Sequence, residues 1–405
     1  MNLKVYRLHS SLKQPEEVKA FNDAFLADIN DLLFKEDIQL SEKGNSDFIS
    51  ICFIESGGSE EKFVELFPKM ASPVVIFYTG KNNSLPAAME IKSYCDQHKK
   101  FALFVGNEAE EIAEGIKTFV NITHARYDMR GSRLGVIGNP SDWLIYSRVD
   151  NGVVHKAFGV SLIEISMEEF QKEINKKLYP RFYRLEEIKK KWNLSNATLK
   201  GALEIYGALK RLIIRYNLDG LTVRCFDLLG KYKNTACLAL ALLNAEGITA
   251  ACEGDVPAML TMYLVNKIYG ISSFMANPSY FFKDNKELLL AHCTVPLDMC
   301  EDYTFNTHFE SGLGNAIEGK LYHGKVNIFK LSADLKELLS IEGRIVDTPK
   351  LEGYCRTQIR VSLDDENIME FFSKSVGNHF VVCYADSDLP IAVAHQLILF
   401  DLENN

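Results

Sequence analysis

Glu253 and Asp255 stand in a short turn between an apolar predicted strand, Ile248–Cys252, and a predicted helix. Pro257 marks the first turn of that helix, where its missing N–H and fixed φ cost nothing. Both carboxylates therefore lie at the carboxyl end of a strand, the edge where open α/β sheets bind ligands. A helix cap explains Asp255 alone equally well. Glu253 precedes the cap position, where an unpaired buried charge would be costly.

A second acidic residue ends a neighbouring predicted strand. Asp227 follows the predicted strand Leu221–Phe226, just as Glu253 follows the next strand along the chain. Because the carboxyl ends of parallel strands share one edge of a sheet, this repetition favours one crevice that contains both carboxylates.

Three of the nine histidines lie where they could join these carboxylates. His292 follows an apolar run, His308 precedes a glycine-rich turn, and His379 comes directly before a predicted strand. A lone histidine at a strand edge is commonly a core residue. Together with Glu253 and Asp227, however, these histidines predict a mixed carboxylate–imidazole metal site, for which we expect Mn²⁺ or Mg²⁺ in preference to zinc.

The first third of the chain alternates strand and helix patterns, which indicates βαβ units and a parallel sheet. It contains neither GxGxxG nor GxxxxGK[ST], so nothing supports nucleotide binding, and a lid or an assembly surface remains as its role. The predicted strands are Leu3–Leu8, Phe48–Ile54, Val74–Thr79 and Phe101–Gly106, and the predicted helices are Pro15–Leu33, Glu60–Phe67, Pro86–His98 and Glu108–Thr123.

A second α/β run begins near residue 131, and its loop Asn139–Trp143 is either a capping turn or the wall of a ligand site. Its predicted strands are Leu134–Gly138, Gly159–Ser166, Leu221–Phe226 and Ile248–Cys252, and its predicted helices are Met167–Leu194, Asn196–Tyr216, Thr235–Glu246 and Pro257–Tyr269.

After residue 272 the pattern changes to short strands joined by turns, with only two later helices. Strands at this spacing predict an antiparallel barrel or sandwich. The predicted strands are Ser272–Met275, Leu288–Cys293, Ile317–Tyr322, Lys325–Leu331, Leu339–Asp347, Arg356–Leu363 and Phe380–Tyr384.

Composition narrows the class of protein. A chain of 405 residues is too long for one core, so two or three domains are expected. The net charge of −9 argues against a nucleic-acid surface. The nine cysteines form no CxxC motif and are expected to be reduced thiols. No secretory leader and no bilayer-length apolar run are apparent, so we expect a cytoplasmic protein without a membrane partner.

Six short segments, in this order, carry a family resemblance across approximately residues 130–390. They are Ala251–Asp255, Ser273–Asn277, Ala291–Thr294, His308–Gly312, Cys355–Gln358 and Gly377–Phe380. Together they resemble the L-fucose isomerase/L-arabinose isomerase superfamily, most closely its shorter fucose isomerase-like members. The resemblance implies two Rossmann-like (flavodoxin-like) α/β domains, 1–130 and 131–272, followed by an antiparallel β-barrel domain, 273–405.

The resemblance also implies a set of site residues. The metal-binding glutamate of the family corresponds to Glu253, its C-terminal histidine ligand to His379, and a further histidine ligand to His292. The second carboxylate of fucose isomerases corresponds to Asn277, and the glutamate of arabinose isomerases to Ala276. This chain therefore lacks both forms of the second carboxylate.

Family members interconvert aldoses and ketoses through a cis-enediol, with Mn²⁺ on two adjacent sugar oxygens. The resemblance thus implies a monosaccharide substrate and Mn²⁺, or another divalent cation such as Mg²⁺. Asn277 offers a neutral oxygen that accepts no proton, so we expect weaker metal binding at the catalytic pair Glu253 and Asn277. Proton transfer then falls on Glu253, helped by Asp255.

Three further expectations complete this interpretation. Asp227, Asp255 and His308 are predicted to contact the substrate. A homotrimer or homohexamer is implied, because family members complete the pocket with a neighbour's N-terminal domain. The alternative, favoured by Asn277, is a catalytically silent sugar-binding homologue that serves as a sensor or an assembly partner.

Overall fold

The computed structural model describes residues 1–10, 15–45 and 47–404. This part of the chain forms two compact units, Met1–Tyr127 and Asp128–Glu403. The second unit contains both the second α/β sheet and the barrel, so the boundary expected near residue 272 stays a prediction. Among the described residues, no helix combines the length and apolar character that spanning a bilayer requires.

The first unit contains a five-stranded parallel sheet with the strand order β2-β1-β3-β4-β5. Every strand and helix predicted for this third of the chain is present, and β2 is added, a three-residue edge strand too short to leave a sequence pattern. The elements are β1 (Asn2–Leu8), α1 (Glu16–Phe34), β2 (Gln39–Ser41), β3 (Ser50–Ile54), α2 (Glu60–Leu66), β4 (Val74–Tyr78), α3 (Ser84–Gln97), β5 (Ala102–Phe104) and α4 (Ala109–Met129).

The second unit begins with a four-stranded parallel sheet in the order β7-β6-β8-β9. The elements are β6 (Arg133–Ile137), α5 (Asn151–Phe158), β7 (Ser161–Ile165), α6 (Met167–Ile174), α7 (Leu185–Lys191), α8 (Asn196–Tyr216), β8 (Gly220–Val223), α9 (Asp227–Tyr232), α10 (Cys237–Ala245), β9 (Thr249–Cys252) and α11 (Val256–Tyr269).

Two predictions for this sheet need correction. The single helix predicted over Met167–Leu194 is two helices, α6 and α7, because Pro180 lacks an N–H and disfavours helical backbone before it. The short helices α5 and α9 were not predicted, although Asp150 caps α5 by accepting a hydrogen bond from the Val153 N–H at 2.9 Å.

The C-terminal part forms a closed, fully antiparallel barrel in the order β10-β11-β16-β15-β14-β17, with a separate β12-β13 hairpin. The predicted fold class, α/β sheets followed by an antiparallel barrel, is confirmed. The elements are β10 (Phe274–Phe282), β11 (Glu287–His292), β12 (Cys300–Asn306), β13 (Ala316–Leu321), β14 (Gly324–Leu331), β15 (Leu338–Asp347), β16 (Thr357–Ser362), α12 (Asp365–Lys374), β17 (Phe380–Cys383) and α13 (Leu389–Asn404).

Helix α11 connects the second sheet to the barrel. It packs on β9 of the sheet and on β14 and β17 of the barrel, and its residues 256–265 are buried. The Leu331 N–H of β14 donates to the Thr261 hydroxyl at 3.1 Å, which fixes the helix against the barrel wall. The N-terminal end of α11, where Glu253 and Asp255 lie, is therefore held beside the barrel strands that carry His292 and His379.

Candidate metal centre

Three buried side chains, Glu253, His292 and His379, converge on one point. One potential ligand atom from each lies within 4.8 Å of the other two. Glu253 Oε1 is 3.5 Å from His292 Nε2 and 3.4 Å from His379 Nε2. The structure therefore brings together the three residues that the sequence predicted would share a pocket.

A strained turn after β9 presents Glu253. Its φ is +62°, a left-handed conformation that is uncommon outside glycine, and Gly254 follows with φ +72°. A Cβ on Gly254 would lie only 2.6 Å from Asn139 O, so no larger residue fits there. The Ser141 N–H donates to the Glu253 carbonyl at 2.9 Å. Strained backbone held by its surroundings is a recurrent feature of functional sites.

Both histidines have one ring nitrogen occupied by a neighbour and the other directed at Glu253. His292 ends β11, and its Nδ1 lies 3.0 Å from the Thr294 hydroxyl. His379 precedes β17, and its Nδ1 lies 2.8 Å from Asp255 Oδ2. Within the described part of the chain, the buried Nε2 atom of His379 has no hydrogen-bond partner. Such outer contacts fix the orientation of metal-binding histidines.

Charge is concentrated at this point. Burial opposes ionisation of Glu253, but the nearby imidazoles of His292 and His379 outweigh burial and hold the pKa of Glu253 well below the usual range. Burial lowers the pKa of His292. Burial also works against a charge on His379, but its hydrogen bond to Asp255 and the nearby Glu253 carboxylate outweigh burial and raise its pKa to about 9. A proton on His379 is thus the positive charge facing Glu253, and a cation that bound there would replace that proton.

These residues fit a divalent metal ion. One carboxylate and two imidazoles supply three ligands, and the ligand atom Nε2 of His379 has no hydrogen-bond partner among the described residues. Three protein ligands leave coordination positions for water or substrate. This donor set is richer in nitrogen than the sequence suggested, and it suits Mn²⁺, Fe²⁺ or Zn²⁺.

A cavity of about 40 Å³ adjoins the cluster, and Asn277 lies in its wall together with Glu253 and His292. The Asn277 side-chain oxygen accepts a hydrogen bond from the Asn378 amide at 3.3 Å. The cavity has room for a few water molecules. Asn277 thus lies near the cluster, and its predicted roles as a ligand and a catalytic group stay predictions.

His308 lies in the same cavity wall. Its Nδ1 is 3.2 Å from the Ser311 hydroxyl, and its ring packs edge-on against Phe226. Burial, with help from the nearby His292, lowers its pKa to about 4. The ring is therefore neutral near pH 7 and able to exchange a hydrogen bond with a hydroxyl.

The two remaining predicted substrate contacts lie elsewhere. Asp255 is fully buried, and its oxygens accept hydrogen bonds from the Ala258 N–H at 2.9 Å and from His379. The capping alternative for Asp255 is therefore observed. Asp227 begins α9, pairs with Arg224 at 3.1 Å, and faces a separate cavity of about 960 Å³ whose walls include none of the three cluster residues. The shared crevice expected for Asp227 and Glu253 is thus not observed.

Two residues around the cluster were not predicted. The Trp143 indole N–H donates to Glu253 Oε2 at 2.7 Å, from the loop that the sequence described as a turn or a ligand wall. Lys330 is fully buried in β14, and its Nζ lies 3.5 Å from Asp255 Oδ2. This Nζ has no hydrogen-bond partner in residues 1–10, 15–45 and 47–404. A lysine within the apolar run of a strand is the signal that could have identified it.

Comparison with known proteins gives weak but extended similarity to one kind of enzyme, whereas no protein-family model matches the chain. A sulfoquinovose isomerase from Alkalicoccus urumqiensis is 21% identical over 315 residues, covering 72% of this chain and 69% of its own. A sulfoquinovose isomerase from Priestia megaterium is 21% identical and covers 75% of this chain and 72% of its own. One from Clostridium sp. is 24% identical and covers 73% of this chain and 70% of its own. The expectation that this chain is an enzyme of the isomerase class is confirmed by these relatives.

Proposed function

We propose that the protein is a metal-dependent aldose–ketose isomerase that acts on a monosaccharide in its open-chain form. The observation that carries the proposal is the convergence of buried Glu253, His292 and His379 beside a small cavity. The weak similarity to sulfoquinovose isomerases supports the same reaction class and makes sulfoquinovose the first substrate to test. The placement of the cluster between an α/β sheet and a barrel also agrees with the fucose isomerase-like superfamily.

In this proposal the cluster residues hold the metal, and the residues around them orient the cluster and bind the sugar. Glu253, His292 and His379 would hold the ion, and Asn277 would offer its amide oxygen. When bound, the metal supplies Lewis-acid polarisation of the sugar carbonyl. Trp143 keeps the Glu253 carboxylate in one orientation through its 2.7 Å hydrogen bond, and Asp255 does the same for the His379 ring. His308, neutral at working pH, would bind a sugar hydroxyl.

The reaction itself moves hydrogen within the sugar. A base removes the proton from carbon 2 of the aldose, an enediol forms, and a proton returns to carbon 1 while the oxygen on carbon 2 becomes the carbonyl. No external oxidant or reductant is consumed. A general base in such a step contributes roughly 10²–10⁴-fold in rate.

Metal loading and turnover together test the proposal. Protein stripped with a chelator is reloaded with Mn²⁺, Mg²⁺ or Zn²⁺, its metal content is measured, and sulfoquinovose, L-fucose and L-arabinose are followed by proton NMR in D₂O. We expect a stoichiometric ion and turnover that Glu253→Gln abolishes, whereas Glu352→Gln, at an exposed position outside the cavity, is neutral. No bound ion and no turnover would refute the proposal.

Asn277 favours a second candidate, a sugar-binding homologue without catalysis, because an amide at that position carries no charge and accepts no proton. In the same experiment this candidate predicts binding of a sugar, detected by calorimetry, without conversion of any of the three sugars. We also propose a homotrimer or homohexamer, as the resemblance implies. A monomer mass by light scattering at micromolar concentration would contradict that assembly.

A further inference from the structure

The proposed isomerase reaction needs a group that takes a proton from one carbon and returns it to the next, and the carboxylates first predicted for this task are engaged. Glu253 accepts a hydrogen bond from Trp143 and faces both imidazoles. Asp255 is fully buried and hydrogen-bonded at both oxygens by Ala258 and His379. The amide of Asn277 cannot accept the proton.

Glu310 is the other carboxylate of this site. Among the described residues that line the cavity beside the cluster, Glu253 and Glu310 are the two acidic side chains. The charge of Glu310 also acts on His292: burial lowers the pKa of His292, and Glu310 works in the opposite direction. Two independent features, the cavity wall and this electrostatic effect, therefore place Glu310 close to the cluster.

The loop that carries Glu310 is closed on itself and anchored. The His308 N–H donates to the Leu313 carbonyl and the Gly312 N–H to the His308 carbonyl, both at 2.9 Å. Gly314, with φ +63°, lies against the residues just before α10. A Cβ on Gly314 would lie only 2.8 Å from Thr235 N. Glu310 is consequently presented to the cavity by a loop of fixed shape.

Glu310 also differs from Glu253 in its access to water. Glu253 is buried, with 6% of its surface exposed, whereas Glu310 lies at the exposed side of the cavity wall. No ion pair or hydrogen bond engages the Glu310 side chain among the described residues. Its carboxylate is therefore available to a substrate in the cavity.

We propose that Glu310 is the catalytic residue that carries the proton between carbons 1 and 2 of the substrate. The Glu310 carboxylate takes the proton from carbon 2, the electron pair of that C–H bond forms the C1=C2 bond, and the carbonyl π pair passes to the oxygen on carbon 1, which takes the proton of the carbon 2 hydroxyl. The Glu310 carboxylic acid then returns its proton to carbon 1, where the C1=C2 pair forms the new C–H bond, and a lone pair of the carbon 2 oxygen forms the ketone. Glu310 ends as the carboxylate it began as, and the sugar has moved one hydrogen from carbon 2 to carbon 1 and one from oxygen 2 to oxygen 1.

His308 is the competing base in the same wall. Its Nδ1 already contacts the Ser311 hydroxyl, and its ring is packed against Phe226. These contacts leave Nε2 to hold a hydroxyl of the sugar, which is a positioning task. The structure therefore assigns proton transfer to Glu310 and substrate orientation to His308.

The test compares Glu310→Gln and Glu310→Asp with the exposed control Glu352→Gln in Mn²⁺-loaded protein. Incorporation of solvent deuterium at carbon 1 or 2 of the sugar reports proton transfer, and Mn²⁺ titration reports the metal site. We expect Glu310→Gln to lower kcat by at least 100-fold, within the range for a lost general base, with Mn²⁺ affinity changed less than threefold. Glu310→Asp should retain part of the rate, and the double variant Glu310→Gln/Asn277→Asp should regain part of it.

The outcomes separate this inference, which rests on the proposed function, from that function itself. A wild type that converts sugars while Glu310→Gln stays within threefold of it would overturn the role of Glu310 and leave the isomerase intact. Loss of Mn²⁺ together with activity in Glu310→Gln would make Glu310 a structural or metal-binding residue and would also overturn its role. A wild type that binds Mn²⁺ but converts no sugar would refute both.

Discussion

His379 Nδ1 lies 2.8 Å from Asp255 Oδ2, so a histidine of the candidate metal centre is tied to the carboxylate that caps α11. The other Asp255 oxygen accepts the Ala258 N–H at 2.9 Å, and Lys330 Nζ lies 3.5 Å from Oδ2. Burial opposes ionisation of Asp255, but Lys330 and His379 outweigh it and lower its pKa to about 2. An ionised Asp255 holds a ring proton on Nδ1, so that Nε2 is the nitrogen that would present its lone pair to a cation once the proton facing Glu253 is displaced.

Replacing Asp255 with asparagine should weaken Mn²⁺ binding by 10- to 100-fold, the range typical of lost outer-shell partners. The amide can still cap α11, but it no longer favours the proton on Nδ1. Asp364→Asn is the matched control, because Asp364 caps α12 in the same way by accepting the Asn367 N–H at 2.8 Å. Calorimetric titration of both variants measures the effect. Equal affinities in the wild type and Asp255→Asn would show that this contact does not orient a ligand.

Trp143 offers a direct optical signal of metal binding. The chain has two tryptophans, and only Trp143 donates to Glu253, whereas Trp192 donates to the Ser195 carbonyl at 3.1 Å. In Trp192→Phe, fluorescence should therefore change on Mn²⁺ addition, because the ion would bind next to the indole and alter the charge of its partner. The same titration of Trp143→Phe should leave the remaining fluorescence nearly unchanged. If Trp192→Phe binds Mn²⁺ without a change in fluorescence, the ion binds away from Glu253.

Sequence patterns predicted the long regular elements of this protein well. Helix α8 has the predicted bounds, Asn196–Tyr216, because Ser195 caps its start and Asn217 adopts the left-handed conformation after its end. Strand β12 was not predicted, since Glu301 and Asp302 give it a charged start that is unfavourable for a strand. Its pairing with β13 supplies the stability that its own sequence lacks.

The sequence alone could identify only the most reactive residues of the candidate site. Glu253, His292 and His379 could be selected by residue type and by the ends of predicted strands. The contacts that hold these side chains could not be predicted, because the partners are far apart in sequence. Trp143 and Glu253 are separated by 110 positions, and His379 and Asp255 by 124. Pairings over such distances depend on how the sheet, α11 and the barrel pack, which a single sequence does not specify.

Away from the site, Glu173 should make stability depend on pH. Burial opposes its ionisation, but hydrogen bonds from Lys176, Arg211 and Arg215 outweigh it and lower its pKa to about 2. A folded pKa below the unfolded value stabilises the protein above about pH 4.5, and this contribution is lost as the pH falls toward 2.

Glu173→Gln should therefore lower the free energy of unfolding by about 1–3 kcal/mol at pH 7, the cost of leaving buried charged hydrogen bonds unmade. The difference from wild type should shrink as urea unfolding is repeated in steps from pH 7 to pH 3. Glu186→Gln, which removes an exposed pair with Lys189 at 2.8 Å, should have a smaller effect. If Glu173→Gln lowers the free energy of unfolding by the same amount at every pH, Glu173 stabilises the protein through packing and not through its charge.

Asn277→Asp should strengthen Mn²⁺ binding and raise isomerase activity. Asn277 lines the cavity beside Glu253, and its oxygen already accepts a hydrogen bond from Asn378, which an aspartate can also accept. The substitution adds a negative charge opposite a dication and a second group able to carry a proton. In a partly buried site, the attraction between the new carboxylate and a bound cation exceeds the cost of desolvating the carboxylate. Without the cation, that desolvation cost is not offset. We therefore expect at least tenfold tighter Mn²⁺ binding, about 1.4 kcal/mol, together with lower stability of the metal-free protein.

Calorimetry with Mn²⁺ and thermal unfolding with and without the ion measure both effects. Asn306→Asp is a suitable control, since Asn306 ends β12 outside the cavity. If Asn277→Asp binds Mn²⁺ no more tightly than wild type, position 277 does not face the ion. The correspondence between Asn277 and the second carboxylate of fucose isomerases would then be withdrawn, and the proton-carrying role of Glu310 would have to be tested without the double variant.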